Sequence, residues 1–191
     1  MDDDDGSGNA RAGDIVDGLE WVLQNHISPA VVNLSYGDDG STGGSFAVLQ
    51  ALQSLADNGV VVVVLAGNHN RDAYLWRANR VSPGLVVAAA GWLSFDQSIY
   101  RMAYSNFGST VDLFAPGDGT YAAINASSQA FGTFGGTSGA SPFVAGAVAQ
   151  ILEAYPSLSP ADVEYWIKAN STPGVISGTM PGDPNLFLSR W

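Results

Sequence analysis

Apolar positions recur along this chain with two periods, and the switches between them mark out an alternating order of helices and strands. Ile15, Leu19, Val22 and Leu23 fall at i, i+4, i+7 and i+8, one face of an amphipathic helix that ends near Asn25. Asp14 stands where its N-cap belongs. Residues 31–35 form a short apolar run bounded by Pro29 and the glycine-rich stretch 37–44, and so predict a buried strand. Phe46, Leu49, Leu52 and Leu55 return to helical spacing, and Asn58-Gly59 supplies a stop signal. The all-valine run 60–64 then predicts a strand buried on both faces, as in a parallel sheet.

Two further strands are expected at 85–90 and 111–114, with a polar and aromatic loop over 94–108 between them. Ala140, Ala145, Gly146, Ala147 and Ala149 give the helix predicted over 138–155 a small-residue surface that must pack closely, and Pro156 ends it. Ser159 as N-cap and Pro160 at the first helical position open a last helix. Helices alternating with apolar strands predict an α/β fold with a mostly parallel sheet.

Composition narrows the classes of function. With 191 residues, 46% apolar and 13% charged, the chain suits one domain or part of a larger one, built on a true core. Lys and Arg number 7 against 18 Asp and Glu, a net charge of -11. No basic stripe exists to displace counterions from phosphates, which argues against nucleic acid and against an anionic membrane surface. Cysteine is absent, which excludes disulfide scaffolds, thiolate zinc sites and cysteine nucleophiles. Imidazole chemistry is confined to His26 and His69. The apolar runs 60–66 and 85–90 are too short to span a bilayer. Met1 is followed by Asp2, Asp3, Asp4 and Asp5 and by no signal-peptide pattern, so residues 1–13 read as an acidic flexible leader to a domain over 14–191.

The densest chemical signal is Phe134-Gly135-Gly136-Thr137-Ser138-Gly139-Ala140-Ser141-Pro142. Glycines followed by a serine at the mouth of a helix set the hydroxyl against free backbone N–H groups and the positive end of the helix dipole. A phosphate-binding loop would need a lysine nearby, and none is present. An α/β-hydrolase elbow would need glycine where Ala140 stands and a histidine downstream of Ser138. A capped, tightly packed helix start is the plain structural alternative. A second signal is the valine-rich strand running into Leu65-Ala66-Gly67-Asn68, because ligands in such sheets sit beyond the carboxyl ends of strands. An asparagine there can donate to an oxyanion formed at a neighbouring serine.

Together these segments resemble the subtilisin-like serine proteases, the subtilases, and within them the proteinase K-like branch. The run Gly136-Thr137-Ser138-Gly139-Ala140-Ser141-Pro142-Phe143-Val144-Ala145-Gly146 resembles the family's nucleophile motif, and Ala66-Gly67-Asn68 its oxyanion segment. Val32-Asn33-Leu34-Ser35-Tyr36-Gly37 resembles the strand that pairs with bound peptide. Ser105-Asn106-Phe107-Gly108 and Val111-Asp112-Leu113-Phe114-Ala115-Pro116-Gly117 are similar to two further family turns, and Pro184-Asn185-Leu186-Phe187-Leu188 to the segment that closes the family domain, in the same order. The resemblance implies a three-layer fold with a mostly parallel sheet between helices, and hydrolysis of a protein or peptide substrate. Ser138 would be the nucleophile, and Asn68 with the Ser138 N–H would hold the oxyanion. Ser35, Tyr36 and Gly37 on one side, with Leu65, Ala66 and Gly67 on the other, would wall the substrate cleft and bind peptide by strand addition. Gly139 stands where the motif has Met, and Phe143 where it has His.

The family's acid lies in an Asp-Ser/Thr-Gly turn and its base in a His-Gly-Thr-His helix start, and neither motif occurs here. His26 and His69 match no catalytic position, so both are expected to be structural or superficial. The fold is therefore expected to be incomplete, lacking the amino-terminal strands that carry those motifs. Residues 1–191 alone are then expected to be nearly inactive. The strand at 31–35 should be left as a sheet edge, open to the missing amino-terminal segment or to self-association. Two readings stay open: a truncated serine endopeptidase, or a non-catalytic peptide-binding or interaction module. No cofactor is implied. Calcium is common in the family, but Leu93 stands about where the proteinase K-like branch has a ligating Asp, so no metal is expected there. An extracellular address follows from the resemblance alone.

Overall fold

The computed structural model describes residues 11–37, 45–92 and 98–189. Its α-helices are α1 (Ala12–Asn25), α2 (Phe46–Asp57), α3 (Thr137–Ala154) and α4 (Pro160–Ala169), with short 3-10 turns at Ala73–Leu75 and Arg77–Arg80. The strands are β1 (Ala30–Leu34), β2 (Val60–Leu65), β3 (Leu85–Trp92), β4 (Ile99–Arg101), β5 (Leu113–Pro116), β6 (Thr120–Ala123) and β7 (Phe131–Phe134). Three two-residue strands close the chain: β8 (Thr172–Pro173), β9 (Ile176–Ser177) and β10 (Leu186–Phe187).

The main sheet runs in the order β1-β2-β3-β5-β10-β8, parallel from β1 to β10 and antiparallel at β8. The valines of β2 explain its central place. All six residues of β2 are buried, and they alternate between two cores. Val60, Val62 and Val64 pack with α1 and α2, while Val61 and Val63 pack with α3 and α4. Strand periodicity of two thus makes one apolar run serve both faces, giving helix, sheet and helix layers. Each fully buried valine or leucine contributes about 1.5–3 kcal/mol relative to exposure. No helix among the described residues is long and apolar enough to cross a membrane.

Several local expectations are corrected. Helix α1 begins at Ala12 with Arg11 at the N-cap, and Asp14 lies inside the first turn, where its charge meets the helix dipole. Phe46, the first residue of α2, is exposed; the buried face is Val48, Leu52, Leu55 and Ala56. The stretch expected as loop contains β4, which extends the longer-than-expected β3 as an antiparallel partner pairing Ala90 with Arg101. Residues 93–97, including Leu93, and the leader residues 1–10 lie outside the described residues. The hairpin of β6 and β7 was not legible as strands, since its residues are mostly exposed and carry no apolar alternation. Asn58 and Gly59 end α2 as expected, with Gly59 at φ +86°. Among the described residues β1 pairs only with β2, so it ends the sheet, and Val31, Val32 and Leu34 are only half-buried.

Candidate active site

The carboxyl ends of β1 and β2 and the amino end of α3 meet at one place. Gly136 is the N-cap of α3 at φ +85°, and Thr137 and Ser138 are its first two residues. The Asn68 side chain reaches across from the end of β2. Its Oδ1 accepts from Thr137 N at 2.9 Å and from Thr137 Oγ1 at 2.9 Å. Thr137 Oγ1 in turn accepts from Gly67 N at 3.1 Å. With its oxygen doubly held, the Asn68 carboxamide must turn its N–H₂ the other way, available to a developing negative charge. A Cβ at Gly136 would stand 3.3 Å from Asn68 Nδ2, so both the positive φ and the close approach call for glycine.

Pro142 sits inside α3 and has no N–H to give to the carbonyl four residues back, that of Ser138. Ser35, at the end of β1, fills that vacancy. Its Oγ donates to Ser138 O at 3.1 Å, lies 2.9 Å from Ser141 Oγ and accepts from Asn33 Nδ2 at 2.9 Å. Ser35 therefore ties one expected cleft wall to the backbone of the serine itself. Tyr36 is half-buried, and Gly37, at φ +127°, lies so close to Trp76 that a Cβ there would overlap the indole.

Leu65, Ala66 and Gly67 are buried. The Ala66 carbonyl accepts from Asn79 Nδ2 at 3.1 Å and from Asn106 Nδ2 at 2.9 Å, and the Gly67 carbonyl from Asn106 N at 2.8 Å. Asn106 Oδ1 also accepts from His69 N and Arg71 N, at 3.0 and 3.1 Å. This fully buried asparagine thus fixes the loop that carries Asn68. Thr137, Asn79 and Asn106 are the residues that sequence reasoning passed over. Thr137 and Asn106 lay inside motifs already quoted, but their geometry exists only once two distant loops meet.

His26 Nδ1 donates to the carbonyls of Val22 and Leu23, at 3.1 and 3.2 Å, at the end of α1. His69 is exposed, beside Asn68. Among the described residues no histidine or carboxylate hydrogen-bonds the Ser138 hydroxyl.

At the opposite end of the sheet, Lys168 Nζ contacts Asp112 Oδ1 at 2.8 Å and Glu164 Oε1 at 3.2 Å. Desolvation raises the Asp112 carboxyl above its ordinary value, despite Lys168 and the Val86 N–H. Partial burial works to lower Lys168, but its two carboxylate partners outweigh it and hold the ammonium raised. The pair shifts in one direction because Asp112 is the more buried partner, its side chain 14% exposed against 36% for Lys168.

A parallel α/β sheet between two helix layers, with a serine at a helix start and a carboxamide held opposite, defines a subtilisin-like fold and its serine-centred cleft. The chain belongs to the subtilase family, whose model matches residues 2–187. It is 40% identical over 184 residues to the extracellular serine proteinase of Thermus sp. (strain Rt41A), covering 96% of this chain and 43% of that one. It is 35% identical over 182 residues to the alkaline serine exoprotease A of Vibrio alginolyticus, covering 95% of this chain and 32% of that one. The chain thus spans less than half the length of these curated relatives. The crystal structure of a cold-adapted subtilisin-like serine proteinase superposes with a TM-score of 0.87 at 33% identity, covering 97% of this chain and 63% of that one.

Proposed function

We propose that this chain carries the nucleophile, the oxyanion site and the substrate cleft of an extracellular serine endopeptidase acting on protein or peptide. The supporting observation is the Asn68 carboxamide, its oxygen tied by Thr137 so that its N–H₂ is left for an oxyanion at Ser138. Ser138 Oγ would attack the scissile carbonyl, and the negative oxygen would be taken by Asn68 Nδ2 and the Ser138 N–H at the positive end of α3. Ser35, Tyr36 and Gly37 would pair with the extended peptide. Leu65, Ala66 and Gly67 would form the facing wall, with the carbonyls of Ala66 and Gly67 already engaged internally. The base and acid of the triad would come from outside residues 1–191, supplied by an amino-terminal segment that docks on the edge of β1 to which no described residue pairs. Alone, this chain would be nearly inactive, since losing the base of such a triad lowers turnover by about 10⁶-fold in subtilisin, itself a subtilase.

Fluorophosphonate labelling read by intact mass tests the reading, with Ser138→Ala and a denatured sample as controls. Labelling that requires both Ser138 and the fold is the expected result for the chain with its triad complete. In that form Asn68→Ala should cost about 10²–10³-fold in turnover, the range set by a single oxyanion donor. A folded, triad-complete chain that never labels would instead leave a peptide-binding or interaction module that kept the cleft.

A further inference from the structure

The phenol of Tyr104 plays no part in the reaction just described, yet it grips the backbone turn on which that reaction depends. Tyr104 Oη donates to Gly117 O at 2.6 Å and accepts from Gly136 N at 3.2 Å. Gly136 N also donates to Gly117 O at 2.8 Å, so the three groups close a small ring of hydrogen bonds. Gly135 and Gly136 immediately precede α3, and paired glycines give this turn much backbone freedom to lose. On its other side, Tyr104 O accepts from Asn70 N at 2.8 Å. One residue therefore holds the serine turn by its ring and the asparagine loop by its backbone.

We propose that Tyr104 is a positioning residue that aims the Asn68 carboxamide by pinning the Gly136 peptide. The proposal rests on reading Asn68 and the Ser138 N–H as the oxyanion site. The contacts are continuous: phenol to Gly136, then the next residue's Thr137 N and Oγ1 to Asn68 Oδ1. A swing of the Gly136 peptide would carry both Thr137 donors away and free the carboxamide to rotate. Partial burial raises the Tyr104 pKa from its ordinary value of 10.0, so the phenol remains a donor under alkaline conditions.

Tyr104→Phe in the full chain tests this, because it removes the hydroxyl and keeps the ring. Amide exchange and the Asn68 side-chain signals are read by NMR. Exchange at Gly136 and Thr137 should quicken about fivefold, the worth of one hydrogen bond, and the Asn68 carboxamide pair should shift and broaden. In the labelling reaction of the triad-complete form, the rate at saturating probe should fall by a similar factor of about five, with half-saturation unchanged. That fall should vanish in an Asn68→Ala background, since both changes act on one group. Tyr165→Phe, exposed on α4, serves as the control. Unchanged Gly136 exchange and Asn68 signals would overturn the proposal, as would a labelling loss that multiplies with that of Asn68→Ala. A triad-complete, folded parent that does not label sinks the nucleophile reading instead, and the NMR arm still decides Tyr104.

Discussion

At the scale of single residues, strain and burial concentrate where loops meet. Gly136 combines a φ of +85° with a hypothetical Cβ 3.3 Å from Asn68 Nδ2. Gly136→Ala should therefore destabilise the fold by about 1–3 kcal/mol through backbone strain, and lower Ser138 labelling further than stability alone accounts for. Chemical unfolding beside labelling rates separates the two effects. Asp112 and Lys168 give a pH prediction. Both are raised, so in each window the folded chain holds its proton more tightly than the unfolded chain. Unfolding free energy then falls as pH rises from 3.8 through the raised Asp112 value, and again above 10.5 as Lys168 titrates. Lys168→Met leaves the Asp112 charge without its cation and should cost about 1–2 kcal/mol at pH near 7, a modest figure because the lysine is over a third exposed. Below pH 3.8, where the carboxyl is protonated, the loss should shrink. Equal losses in urea titrations at both pH values would count against the pair.

At the scale of elements, the chain's own signals govern the ends of helices more surely than the bounds of strands. Ser159 caps α4 through a box in which its Oγ accepts from Asp162 N at 3.2 Å and Asp162 Oδ2 accepts from Ser159 N at 3.2 Å. Ser159→Ala should cost about 1 kcal/mol, read as a lower urea midpoint with unchanged slope. The Ser159 contacts lower the Asp162 pKa, so the carboxylate's share of the box is present above pH 3.8 and fades as pH falls through the lowered value, while the bond from Asp162 N to Ser159 Oγ does not titrate. Strands differ because their pairing is not local. β4 was hidden in a loop, and the hairpin of β6 and β7 shows no apolar alternation, so each is fixed only by a partner distant in sequence or by the turn between them.

At the scale of the molecule, the open edge of β1 matters most. Among the described residues no strand pairs with its outer side, beside half-buried Val31, Val32 and Leu34, and such an edge is the condition under which sheets recruit another strand. Residues 1–191 by themselves are expected to associate with rising concentration and to become monomeric once an amino-terminal segment is supplied in trans. Size-exclusion with light scattering checks this, and a monomer with a sharp, reversible melt at every concentration would refute it.

Sequence alone determined what depends on neighbours in the chain. The valine run fixed a central two-faced strand, Asn58-Gly59 and Ser159-Pro160 fixed helix ends, and the glycine-rich motif placed Ser138 at a helix start. These signals are local because backbone entropy, capping and burial period act within a few residues. Only the tertiary structure decided which groups would face one another. It brought Thr137 against Asn68, 69 residues apart, and gave the Ser138 carbonyl, stripped of its helical partner by Pro142, to Ser35, 103 residues away. Such pairings carry no sequence period, since the geometry that satisfies them exists only after the sheet has assembled and the chain's distant loops share one end of it.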